Sequence, residues 1–171
     1  MPLRTIMIFP KFDHMEIIEE IRKEYDPLFH LVKPHITLVF PFEDEITDAD
    51  LENKLEKCLE NMKSFRLVLH GIEKQENAYG HYLFLKVTEG VNELIKLHDM
   101  LYSGLWGTPI ERKEYFPHMT IGKLSSTAEL NTAFSKIETL DDLFETVVRT
   151  VSVEMIGKNG ESIIINEKQL H

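Results

Sequence analysis

Two segments of the chain carry one arrangement. "KPHITLVFPF", Lys33 to Phe42, and "YFPHMTIGKL", Tyr115 to Leu124, each set a proline, a histidine, a spacer and a threonine at the mouth of an aliphatic run. The copies lie about half the chain length apart, and each follows an apolar strand pattern and an amphipathic helix pattern. That placement implies an internal duplication, approximately residues 1–78 and 79–171. A unit of this size is too long for a solenoid repeat, and two copies are too few to stack as an array. The expected fold is therefore α+β: two lobes related by an approximate twofold axis, each an antiparallel sheet with helices packed outside and a cleft between them.

Periodicity fills in the order. The first half reads as the strand "RTIMIFP", the helix "HMEIIEEIRKEYD", the strand "PHITLVF", a helix around residues 47–62 and the strand "SFRLVLHGIE". The second half reads as "HYLFLKVT", the helix "GVNELIKLHDMLY", "PHMTIGKL", the helix "STAELNTAFSKI" and one long closing strand "FETVVRTVSVEMIG". A last strand, "ESIIINEK", follows a tight turn at Lys158, Asn159 and Gly160. "EKQENAYGHY" reads as a hairpin, so the halves form one cooperative domain. Residues 103–116, with Gly104, Gly107 and Pro109, read as a loop in which Trp106, Arg112, Lys113 and Tyr115 are candidates for rim contacts; the alternative is a solvated connection with Trp106 tucked against the core.

Residues i and i+2 of a strand share a face about 7 Å apart. His35 therefore accompanies Thr37, and His118 accompanies Thr120, while Ile36, Leu38, Met119 and Ile121 point into the opposite apolar layer. Two such strands brought together present two imidazoles and two hydroxyls to one cleft. An imidazole exchanges protons near neutral pH, so one ring can deprotonate an attacking hydroxyl while the other protonates a departing alkoxide. Threonine hydroxyls can hydrogen-bond the non-bridging phosphate oxygens, where charge gathers. The set suits phosphodiester chemistry without a metal. Metal ligation is the weaker reading, because no carboxylate stands at the same-face positions and threonine is a poor ligand.

Charge limits the partners. With 29 acidic against 19 basic residues and a formal net charge of −10, a long duplex needing a broad basic face is excluded as a favoured ligand. A small phosphorylated nucleotide or one RNA end needs only a few local donors. No stretch approaches the roughly 18 apolar residues of a membrane span, and a soluble, cytoplasmic monomer is expected. The single cysteine, Cys58, excludes an internal disulfide and reads as core filler on a helix face with Leu51, Leu55, Leu59 and Met62.

Other candidates surround the motifs. Lys33 has the parity of His35 and Lys123 lacks that of His118; Phe42 and Tyr115 could stack on a base, whereas Phe40 reads as core. Lys33, Phe42 and Tyr115 are thus the candidate substrate contacts. The remaining histidines, His14, His30, His70, His81, His98 and His171, lack a companion threonine and read as surface or structural.

"PHITL" and "PHMTI", in a chain of this length and order, resemble the paired H-x-T-x motifs of the two-histidine (2H) phosphoesterase superfamily, which includes 2′-5′ RNA ligase-like proteins and cyclic nucleotide phosphodiesterases. The resemblance covers nearly the whole chain. It implies that His35 and His118 are the acid/base pair, that Thr37 and Thr120 bind phosphate, and that no cofactor is needed. The implied substrates are cyclic phosphates or 2′-5′ and RNA-terminal phosphodiesters, with hydrolysis and ligation both open. The rival is a module that binds a nucleotide or RNA end without turning it over.

Overall fold

The computed structural model describes residues 2–107 and 114–171; Arg112 and Lys113 lie outside them. The chain runs β1 (Arg4–Ile8), α1 (Met15–Tyr25), β2 (Ile36–Phe42), α2 (Asp48–Leu59), β3 (Phe65–Asn77), β4 (Gly80–Glu89), α3 (Val91–Trp106), β5 (His118–Leu124), α4 (Thr127–Ile137), β6 (Phe144–Val148), β7 (Thr150–Ile156) and β8 (Ser162–Gln169). The helix starts follow their side chains. Thr47 Oγ1 accepts the amide of Asp50 to cap α2, and Ser126 Oγ accepts that of Glu129 to cap α4.

Two four-stranded sheets form, in the orders β2-β1-β7-β8 and β5-β4-β3-β6, with every pairing antiparallel. The orders correspond position by position: motif strand at the edge, opening strand beside it, then a closing strand. The closing strands are exchanged between halves. β3 leaves the first half to pair with β4, and β7 leaves the second to pair with β1. The stretch expected as one long closing strand is accordingly two. β6 ends at Val148, β7 begins at Thr150, and across Arg149 the backbone passes from one sheet to the other. Hydrophobic pattern alone does not reveal this, because both strands are apolar on their inner faces. The hairpin at residues 77–80 and the turn before β8 form as expected, the latter with Gly160 at φ 82°.

One contiguous core links the sheets and helices, drawing on Ile6, Ile36, Leu38, Leu69, Leu85, Met119 and the inner faces of all four helices. Among the described residues no helix is long and apolar enough to cross a membrane.

Residues 103–106, expected within a loop, are instead the last turn of α3, which closes at Gly107, φ 71°. Gly104 lies inside the helix for a packing reason. A Cβ there would stand 2.0 Å from Cys58 Sγ on α2, so the missing side chain lets α2 and α3 approach. Gly104→Ala is expected to destabilise by about 1–3 kcal/mol through overpacking, lowering the thermal midpoint by several degrees. Adding Cys58→Ala removes the clash and restores the midpoint. A Gly104→Ala protein that melts with the parent sinks this account.

Candidate active site

The motif strands alternate as their sequences require. Ile36, Leu38 and Met119 are fully buried and Ile121 nearly so, whereas His35, Thr37, His118 and Thr120 are part-exposed on the other face. Each motif strand is the edge of its sheet, and the two edges touch. A second link runs through Tyr115, just before β5, whose hydroxyl donates to the Thr37 carbonyl at 2.6 Å. From α3, Tyr102 accepts a hydrogen bond from the Phe40 backbone. Edge groups of β2 that would otherwise be open to another strand are thus covered.

The two imidazoles are held alike. Nδ1 of His35 lies 2.8 Å from the Lys33 carbonyl, and Nδ1 of His118 lies 2.7 Å from the Phe116 carbonyl, each two residues upstream. A carbonyl only accepts, so Nδ1 carries the hydrogen in both rings and Nε2 holds the exchangeable lone pair. The Pro at position −1 of each motif, Pro34 and Pro117, favours the extended backbone that leads into the strand.

Burial pushes both imidazoles below the ordinary histidine range. For His35 the bond to Lys33 and the charges of Glu154 and Asp26 oppose that shift, while Arg22 adds to it. For His118 the bond to Phe116 and Glu73 oppose it, and a charge on His35 adds to it. The rings are therefore near enough to influence each other's protonation.

Beside His118 a groove of about 850 Å³ runs between β3, β4 and the N-terminal approach to β5. Phe84 forms part of its wall and stacks on the His118 ring at 3.8 Å between centroids. Tyr115 lines it, with its ring stacked on His98 at 4.2 Å. His98, which reads from sequence as surface or structural, packs between Tyr115 and Tyr102 and contributes to the same wall.

Several flanking residues stand elsewhere than their sequence positions suggest. Phe40 is 51% exposed and lines the groove, not the core. The register between β1 and β2 shifts between Arg4 and Ile6, so Phe40 and Pro41 bulge outward. Lys123, which simple alternation sends to the far face, sits opposite Tyr82 with its ammonium 5.4 Å from that ring. A register shift between Leu83 and Phe84 reverses its parity. Phe42 lies at the far end of β2 from His35, edge-on to Trp106 at 5.2 Å and beneath Arg4. Lys33 is exposed, and its defined contact is the carbonyl that orients His35. The groove residues Glu73, Gln75, Phe84 and Lys86 belong to no motif. Their one sequence signal is alternation along β3 and β4. Among the described residues no cluster of three or more His, Cys, Asp or Glu forms a metal-ligating group.

Two four-stranded antiparallel sheets with helices, each carrying its histidine-and-threonine strand at an edge and the two edges in contact, form a 2H-type phosphoesterase fold. Residues 10–158 match the 2′-5′ RNA ligase superfamily, and the chain belongs to that superfamily. A protein of Geobacillus kaustophilus with a provisional phosphoesterase name is 30% identical over 175 residues, covering 96% of each chain. The crystal structure of TT0787 of Thermus thermophilus superposes with a TM-score of 0.68 at 17% identity, covering 98% of this chain and 97% of that one. E. coli LigT complexed with 3′-AMP superposes with a TM-score of 0.61 at 15% identity over 99% of both chains. At those identities the two crystal structures speak for the fold.

Proposed function

We propose that this protein is a metal-independent phosphoesterase that acts on a cyclic phosphate or on a 2′-5′ or RNA-terminal phosphodiester by paired-histidine acid/base catalysis. The observation that carries the reading is the matched tethering of the two rings, Nδ1 to a carbonyl two residues upstream in each motif. It leaves both Nε2 atoms free for a substrate, as proton transfer on either side of one phosphorus requires. One neutral ring takes the proton of the attacking water or hydroxyl. The other, protonated, gives its proton to the departing alkoxide, and the Thr37 and Thr120 hydroxyls donate to the non-bridging oxygens. The 3′-AMP complex of LigT supports a ligand of nucleotide size for this fold.

The test is a panel of 2′,3′-cyclic nucleotides and 2′-5′ oligonucleotides, assayed with and without chelator. Turnover of at least one member, unchanged by chelator, is the expected result. Turnover that disappears on chelation and returns with added divalent metal overturns the mechanism. Binding across the panel with no turnover makes the protein a binding module instead.

A further inference from the structure

The groove beside His118 has a chemical character that the paired motifs do not dictate. Its floor is strand alternation: Glu73, Gln75 and Asn77 of β3 line it, while Lys74 turns away to Asn131 and Glu76 to Thr127 and His81. Opposite them on β4 stand Phe84, paired with Glu73, and Lys86, paired with His118 on β5. At the mouth are two solvent-open aromatic rings, Phe40 at 51% and Phe116 at 69% exposure. Exposed aromatic faces beside amide side chains suit a nucleobase, which stacks on the former and hydrogen-bonds the latter.

The charges of the described wall are unbalanced. Lys86 is the one ammonium among them; it holds the β4 position paired with His118, and its side chain runs over Gly71 of β3. Glu73 and Glu114 remain for the rest of the groove. A carboxylate accepts hydrogen bonds from sugar hydroxyls and repels a second phosphate.

Building on the phosphoesterase reading, we propose that this groove takes the nucleoside attached to the scissile phosphate in a form bearing no further phosphate, and that Glu73 is the residue that enforces the selection. Glu73 stands directly behind Phe84, whose ring rests on His118, so its carboxylate borders the position of the sugar. The substrate class narrows to termini whose groove-side nucleoside ends in hydroxyls.

Equilibrium binding of adenosine 2′-monophosphate and adenosine 2′,5′-bisphosphate to the intact protein tests this, since the two differ only in the second phosphate. The wild type is expected to bind the monophosphate about tenfold more tightly, the size of one like-charge contact at a partly solvated site. Glu73→Gln should bring the ratio toward one, and Glu73→Lys should invert it. Glu73 is exposed, so neither variant threatens the fold, and the ratio cancels any effect on His118 itself. Equal or tighter binding of the bisphosphate by the wild type overturns the proposal, as does a ratio that neither variant moves. If that happens while adenosine 2′,3′-cyclic phosphate is still turned over, the phosphoesterase reading survives and only the selectivity falls. If neither nucleotide binds and nothing is turned over, both fall together.

Discussion

His35→Ala and His118→Ala are each expected to lower turnover by roughly 10²–10⁴-fold, the range for losing a positioned acid or base, while both variants stay folded. The rings are part-exposed at strand edges, and Ile36 and Met119 continue to fill the core from the other face. The double variant should be scarcely worse than either single one, because an acid without its base has no productive proton path. Circular dichroism and the thermal midpoint separate this outcome from unfolding. A variant that keeps full activity on the true substrate removes that histidine from the mechanism.

The same rings are expected to set the pH profile. Burial lowers both imidazoles from the ordinary value of 6.5, so in the free enzyme both limbs of the kcat/KM bell move toward acid. Activity falls below the lower limb as the base takes up a proton. It falls above the upper limb as the acid loses one, by about tenfold per pH unit once the limb is fully developed. The kcat/KM optimum is expected below pH 6.5, with kcat shifted to higher pH because a bound phosphate favours the protonated rings. A kcat/KM optimum well above neutrality contradicts the acid/base assignment.

Much of this site is legible in the sequence because strand alternation is a hard steric rule. Once His35 and Thr37 share a face, Ile36 and Leu38 must take the other, and they do. The features that escape are those where a local irregularity resets the count. A bulge turns Phe40 out of the core and another, beside Gly122, turns Lys123 toward Tyr82. Pro41 hints at the first, since a proline within a strand belongs at an edge or a bulge. Crossover is the other blind spot. Residues 144–156 show continuous β pattern, and nothing local says that Arg149 is where the chain changes sheet. The order of sheet strands depends on which distant edges bury the most surface, which is a property of the whole fold. The Nδ1 tethers lie between these extremes. The histidines are visible, but the carbonyl partners at position −2 emerge only when the backbone before each strand is placed.

That backbone has its own anchor at His35, and removing it should give the largest stability loss among the substitutions considered. Arg22 on α1 is 1% exposed, an extreme burial for a guanidinium. It bonds Asp26 at 2.9 Å, Glu19 at 2.8 Å and the carbonyls of Val32 at 2.6 Å and Leu28 at 3.4 Å. Asp26 in turn accepts the Leu28 amide. The fork thereby pins residues 26–32, and the next residue, Lys33, supplies the carbonyl that orients His35. Arg22→Ala leaves Asp26, itself 6% exposed, as a buried charge without its partner, at a cost of about 3–5 kcal/mol. Thermal unfolding should record a fall of roughly 10 °C for a domain of this size. Pairing Arg22→Met with Asp26→Asn removes both charges and should restore much of the midpoint. Because the Val32 and Leu28 carbonyls then have no guanidinium to hold them, turnover should stay depressed. A double variant that regains stability and full activity together would show that Arg22 serves only to neutralise Asp26. Recovery of the melt without recovery of the rate locates its second role in presenting His35.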